Sequence, residues 1–388
     1  MAKSILANIN PRILQWARET ARLTPEAAAK AVAVSVEKLL ACEAGDDQLT
    51  FNQFLAAANT YKRAPALFYL EEPPSGFQPI QDFRRLPDVA EDPLSASLAW
   101  EVRQARERRE IALELRGDLD DPVRTFALTA SVRDDVEKTG QAIRTALGVR
   151  KDDQIGWRAK AFDNWRLAIE ALDVLVFMVP KIPLVEMRGV AIADETLPVI
   201  LVNSRDRTNG RTFTLLHEFC HLLVRASGIS GFGEPDEPQK ARIEAFCNAV
   251  AAAALVPAGW LLEEPLVRSK GDQKTWDSDE LAALANRFGV SREVVLRRLL
   301  TLGRTTAAHY ESHRRAFIKE YDDLADAKSE GGPARHIVVL SQLGRGFTRL
   351  ILRGYHDQQL TLRDVANHLN MRAGAVAAIE QAAFGVKA

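Results

Sequence analysis

Between Pro11 and Lys62 the apolar positions recur every three or four residues in short blocks, the spacing of consecutive amphipathic helices. Pro11 opens the first block, PRILQWARETARL. Thr24-Pro25-Glu26 opens the second, with a threonine to cap the helix and proline at its first position. Ser35 opens the third, which VEKLLACEAG carries to a glycine stop at Gly45. TFNQFLAAANTYK, with Phe51, Phe54, Leu55 and Ala58 at helical spacing, makes a fourth. The pattern breaks at EEPPSGFQP (71–79), where proline and glycine disfavour both helix and strand. Residues 92–150 are charged and helical in period. After a softer break near 155–164, Val and Ile concentrate in DVLVFMVPKI, MRGVAI and PVILVNS, three runs bounded by Pro or Gly that predict strands. Helices are expected over 211–225 and 238–254. A further pair spans 278–303, turning at Gly289 and restarting at a Ser291 cap. A last break, AKSEGGPAR (327–335), precedes LTLRDVANHLNMRAGAVAAIE, which again has a helix–turn–helix cadence.

One cluster of strands set among helices predicts an α+β fold, and the breaks divide it into residues 1–72, 78–326 (core 160–305) and 333–388. With 47% hydrophobic and 27% charged residues, the chain can bury a sizeable core. A net charge of -1 gives no global pull toward nucleic acid or anionic membrane. Cys42, Cys220 and Cys247 are too few and scattered for a disulfide framework. The start, MAKSILANINPRILQW, is amphipathic and not signal-like, and the apolar run AVAAAALVPAGWLL is short and broken by Pro257, so no membrane partner is expected. The expected compartment is the cytoplasm.

The candidate chemistry lies in RTFTLLHEFCHLLV, which contains His217-Glu218-x-x-His221. On a helix, positions i and i+4 share one face, so both imidazoles can converge on one ion. Glu218 is turned about 100° from His217, placed to reach a water and not the metal. A zinc ion lowers such a water's pKa from ~15.7 to ~7 and polarises a scissile carbonyl, while the glutamate moves the proton to the leaving amine. The ordinary alternative is two satisfied core histidines. A third ligand is needed, and HLLVRASGIS supplies no further His. Glu244, in ARIEAFCNAVAAAALVP, is the candidate, because a carboxylate on an Ala-rich buried helix is costly unless paired or metal-bound. It could instead be a first-turn glutamate favoured by the helix dipole. Cys220 adjoins His221 and Cys247 lies three residues after Glu244, so either could offer thiolate or redox chemistry, although cysteine is also a common core residue. A second i,i+4 pair, His309 and His313, sits in a polar helix with its glutamate one position off the motif and reads as a surface pair. Arg188, Arg211 and His309 are the candidates for an oxyanion stabiliser.

RTFTLLHEFCHLLV followed by E-AFCNAVAAAALVP resembles the ImmA/IrrE metallopeptidases, over roughly residues 160–305. The resemblance implies a thermolysin-like zincin core, with His217, His221 and Glu244 as zinc ligands and Glu218 as catalytic base. It also implies an intracellular regulatory endopeptidase whose protein substrate is a repressor, often of helix–turn–helix type, cleaved to switch on stress or mobile-element genes. Cys247, Val250 and Cys220 depart from the commoner pattern (Ala, Phe and Gly), but none removes a ligand. A two-His, one-carboxylate set also accepts Mn2+.

Residues 11–62 resemble the XRE/Cro class of helix–turn–helix repressor domains, with Glu43-Ala44-Gly45 matching that class's E-x-G ending. The candidate recognition helix starts Ser35, Val36, Glu37, Lys38, poor in residues that read base edges. The C-terminal stretch carries six arginines between Arg335 and Arg372 against two acids, suited to phosphate contact. DNA is therefore a candidate partner through either end, and self-association as a homodimer is the alternative use of the first module. The rival reading of the whole is a DNA-binding transcription regulator whose zincin domain senses with little or no turnover.

Overall fold

The computed structural model describes residues 5–21, 23–74, 95–225, 237–325 and 333–385. Most of the break expected at 71–79 and of that at 327–335 lies outside the described residues. Chain contacts group Met1–Gln81 with Leu86–Arg106 as one unit and Asp82–Arg85 with Glu107–Ala388 as another.

The first unit begins with four short helices, α1 (Pro11–Thr20), α2 (Pro25–Val32), α3 (Val36–Ala44) and α4 (Phe51–Thr60), followed by a 3-10 turn, Pro65–Tyr69. Each helix starts on a side-chain cap: Asn10, Thr24, Ser35, and Thr50 with Gln53 in a capping box. Gly45 ends α3 in the left-handed conformation, φ 89°. Glu43 is buried and takes a two-pronged contact from Arg18 on α1, at 2.7 and 2.9 Å. The Glu-Ala-Gly ending is thus an ion-pair anchor beside a stop signal. Ile13, Leu39, Phe54, Tyr61 and Phe68 fill the core.

In the second unit the charged stretch is two helices, the end of α5 (Ala96–Asp118) from residue 107 onward, and α6 (Val136–Ala146). Between them Thr125 bridges Thr196 in an extended segment. Then come α7 (Lys151–Trp157) and α8 (Ala161–Glu170), so residues 155–164 run on within the unit. Three strands follow: β1 (Leu175–Val179), β2 (Gly189–Ile192) and β3 (Val199–Asn203). Their order is β1-β3-β2, with β1 parallel to β3 and β2 antiparallel to it, Gly189 facing Val202. Every strand residue is buried, which is why the runs read as continuously apolar. Next are α9 (Thr208–Val224) and α10 (Glu237–Leu255), with α9 packed on the sheet and against α8 and α10. Helices α11 (Ala258–Glu263), α12 (Pro265–Ser269), α13 (Ser278–Phe288), α14 (Arg292–Thr301) and α15 (Ala307–Ala325) complete this part. The expected turn at Gly289 and cap at Ser291 separate α13 from α14.

The alanines of α10 exist for close packing. A Cβ at Gly140 on α6 would stand 2.9 Å from the Ala254 nitrogen and 3.0 Å from the Ala253 Cβ. The last carbonyls of α10 and its cap are met by side chains from three other helices. Ala254 O accepts from Arg144 at 2.7 Å, Leu255 O from Gln154 at 2.8 Å, and Val256 O from Arg298 at 2.9 Å. Two guanidinium groups at a helix C-terminus also complement its dipole. Arg144 is 1% exposed, bonds Gln154 as well at 2.6 Å, and lies over the Trp260 ring at 4.1 Å. Burial lowers its pKa to about 10, which leaves it protonated at neutral pH.

The chain ends in α16 (Arg335–Leu343), α17 (Arg345–His356), α18 (Leu362–His368) and α19 (Val376–Phe384), which belong to the same unit. Phe347 on α17 meets Phe177 on β1 edge to face at 5.5 Å, and Arg166 on α8 donates to the Ser341 carbonyl at 2.6 Å. Several arginines of this basic stretch hold backbone carbonyls: Arg345 and Arg349 donate to the Ala383 carbonyl, and Arg335 to that of Asn370.

Because Arg144 satisfies carbonyls that no water can easily reach, Arg144→Met is expected to destabilise the second unit by about 2–4 kcal/mol. Urea unfolding followed by tryptophan fluorescence would measure it; a loss below about 1 kcal/mol would mean the carbonyls find other donors.

Candidate metal centre

Helix α9 starts two residues after a buried acid. Asp206 accepts from the Arg207 N–H at 2.7 Å and pairs with Arg188 at 3.3 Å, which ties the start of α9 to the start of β2. Along α9 the apolar residues Leu215, Leu216, Phe219, Leu222 and Leu223 are buried, and with them His217 (0% exposed) and Glu218 (2%). Helical spacing then places His221 one turn beyond His217, with their Nε2 atoms 3.0 Å apart.

Glu244 reaches both from α10: its Oε2 lies 3.3 Å from His217 Nε2 and its Oε1 3.1 Å from His221 Nε2. Since α10 begins at Glu237, Glu244 stands two turns inside the helix. The helix dipole acts within the first turn, so it does not account for a carboxylate here. Burial raises the Glu244 carboxyl, but hydrogen bonds and charge from His217 and His221 outweigh that and hold it well below the usual range. Its side chain keeps 26% exposure, so the group is not sealed from solvent.

These three residues are a group of metal-ligating type among the described residues. The two Nε2 atoms sit 3.0 Å apart, and each has one of the two Glu244 oxygens within 3.3 Å. A tetrahedral zinc with bonds of ~2.0–2.1 Å has donor–donor edges of about 3.3 Å. The donor set therefore fits a small divalent cation of that geometry.

Glu218 lies one residue along α9, against the first residue of β2. A Cβ on Gly189 would fall 2.6 Å from Glu218 Oε1 and 2.5 Å from Thr214 Cγ2. Only glycine lets the strand backbone approach the carboxylate so closely. Gly189 was not among the sequence candidates, although a glycine opening the apolar run MRGVAI is the signal of a close backbone approach.

The other candidates lie elsewhere. Cys220 and Cys247 are buried in the core cluster, and burial pushes the Cys220 thiol up, away from a reactive thiolate. His309 and His313 are half-buried and apart from the three-residue group; His309 Nε2 contacts the Trp276 backbone N–H and carbonyl, at 3.0 and 3.1 Å. Arg188 is engaged by Asp206. Arg211 lies over the Phe162 ring and donates to Thr208 at 3.0 Å. None of the three oxyanion candidates has a geometry that singles it out.

The peptidase M78 family model, described as the IrrE N-terminal-like domain, matches residues 170–300, about a third of the chain. The match runs from the end of α8 through α14 and supports the ImmA/IrrE family for that stretch. The chain matches no curated protein. No described helix is long and apolar enough to cross a membrane.

One zinc is expected per wild-type chain. His217→Ala and His221→Ala should each weaken zinc binding at least 100-fold, and Glu244→Gln about 10–100-fold, with zinc titrated against a competing chelator. Three variants that all bind zinc like the wild type would show that this group is not the metal site.

Proposed function

We propose that the chain is a zinc-dependent endopeptidase that cleaves a protein partner, with His217, His221 and Glu244 as ligands and Glu218 as catalytic base. The observation that carries this reading is the convergence of those three donors from two helices, with Glu218 beside them and against a sheet edge. The family match over the same stretch supports a metallopeptidase-type hydrolase.

A divalent cation held by this set, zinc or in its place manganese, would polarise the scissile carbonyl and acidify a water. Glu218 would take one proton from an attacking water, whose oxygen would add to the carbonyl carbon. The carboxyl then delivers the proton to the departing nitrogen as the C–N bond breaks, so one water is consumed per bond. Contact with β2 on one side, and burial of α9 around it, restrict where the Glu218 carboxylate can swing.

β2 is an edge strand among the described residues. An extended peptide can add to such an edge through main-chain hydrogen bonds, and here its backbone would pass beside Glu218. That favours an unfolded or loop segment of a protein as substrate. By the ImmA/IrrE resemblance the partner is a cytoplasmic repressor, itself a helix–turn–helix protein, cleaved to derepress stress or mobile-element genes. We assign residues 1–72 and 333–388 as accessory modules around a zincin domain spanning 78–326. The rival reading, a DNA-binding regulator with an idle zincin domain, draws less support. In the first unit Ser35 is used as a cap, Lys38 faces Asp47 at 3.8 Å and Arg18 is buried on Glu43. At the other end Arg345 and Arg349 hold carbonyls.

Glu218→Gln is expected to keep the metal and to lose about 10^2–10^4-fold in cleavage rate, read by gel assay against purified repressors encoded beside the gene. Undiminished cleavage by this variant would refute the reading. Gly189→Ala should behave similarly, with metal content unchanged and cleavage reduced at least tenfold, because the added methyl displaces Glu218. A Gly189→Ala enzyme with wild-type turnover would show that the close approach has no part in the chemistry.

A further inference from the structure

The first unit carries an exposed apolar surface where the start of the chain meets α4. Ile5, Leu6, Phe51, Leu55 and Tyr69 are each between 39% and 76% exposed, and they adjoin one another. The Phe51 N–H donates to the Ile5 carbonyl at 2.8 Å, and Leu6 bridges Thr50 in antiparallel fashion. Leu55 follows Phe51 by one helical turn. Phe51 and Tyr69 both lie edge-on to the buried Phe54 ring, each at 5.9 Å. None of the five carries a charge. Together they present on the order of 500 Å2, near the upper end for the largest apolar patch of an ordinary monomer. Beside them runs an open strand edge. The Ile5 carbonyl faces inward to Phe51, and the Ala7 N–H donates to the Leu49 carbonyl at 2.8 Å. By strand alternation the N–H and carbonyl of Leu6 face the other way, and among the described residues neither has a hydrogen-bond partner. A folded protein usually covers or charges such an edge.

We propose that this surface is the interface of a homodimer, in which a second copy of the chain meets the first about a twofold axis at Leu6. Self-complementarity argues for a second copy. At a twofold, Leu6 can exchange both N–H···O bonds with Leu6 of the other copy, as in the hydrogen-bonded pair of an antiparallel ladder. The apolar side chains on either side then face their own equivalents, as an isologous contact requires. An uncharged patch gives no preference to an acidic or a basic partner. An apolar centre of about 500 Å2, with a polar rim, approaches the ~800 Å2 per partner of a stable interface. The interface lies within the first unit and does not depend on the peptidase reading.

Sedimentation equilibrium of the full chain tests it, with a dimer Kd expected between about 0.1 and 50 μM, the weak end for an interface of this size. Phe51→Glu places a charge on each side of the twofold and should weaken the dimer at least 30-fold. An acid is welcome there in the first turn of α4, so the fold should hold. Leu6→Pro keeps an apolar side chain but removes the edge N–H, which bonds nothing within the described chain, and should weaken the dimer at least tenfold. Leu6→Cys should give a disulfide-linked dimer on mild oxidation, since the paired Cα atoms would lie ~5.5 Å apart and the three native cysteines are buried. Leu362→Glu, at a similarly exposed apolar position of the second unit, and His217→Ala should leave the dimer unchanged. A chain that stays monomeric at about 100 μM, a dimer that keeps its affinity in Phe51→Glu, one lost in Leu362→Glu, or no cross-link in Leu6→Cys would each overturn the proposal. Should Leu6→Pro disturb the bridge to Thr50, Phe51→Glu and the Leu6→Cys cross-link still decide.

Discussion

The position of α10 is the constraint on which the site depends. His217 and His221 share one helix, so their spacing is set by helical geometry, but Glu244 comes from another helix and must arrive within 3.3 Å of both. Glu244 meets both imidazoles only while α10 keeps its place beside α9. The fold fixes α10 at its far end and along its side. Gly140 and the alanines let α6 close on it at backbone distance, and Arg144, Gln154 and Arg298 take up its last carbonyls. These bonds lie far from the metal centre in sequence and carry no chemistry of their own. They make α10 a rigid bearer for one carboxylate.

The same logic holds for α9. A buried carboxylate costs free energy unless its surroundings fix it, and Glu218 is 2% exposed. Asp206 and Arg188 join the start of α9 to the start of β2, and Gly189 meets α9 at Thr214 and Glu218, so helix and strand are tied at two places. The carboxylate therefore meets the sheet edge at a set distance and not through a flexible loop.

Much of this was legible in the chain, and unevenly. The helix starts were clear because Thr24, Ser35 and Ser291 each cap through a local hydrogen bond. The strands were clear because both of their faces are buried, which makes Val and Ile continuous. His217, Glu218 and His221 follow from one helical turn, which sequence encodes directly. Glu244 was harder to place, since its meeting with the histidines is a tertiary fact, and the first-turn alternative fell only when α10 proved to start at Glu237. Gly189 was overlooked because its importance lies in what approaches it. The ties of Arg144 to Ala254 and of Arg166 to Ser341 join residues too far apart in sequence for any local pattern to announce.

The two edges of the sheet receive different treatment, and this bears on what the metal centre can meet. An open strand edge is a template for any extended chain. On β1 the Val176 carbonyl accepts from Arg166, and α16 and α17 pack against the strand through contacts at Met178 and Phe177. Helices from the chain's end thus occupy β1. β2 has only β3 as a neighbour among the described strands, and its first residue lies against Glu218. On the peptidase reading proposed above, a substrate segment would add at β2, and α16 and α17, packed on β1, would take no part in holding it.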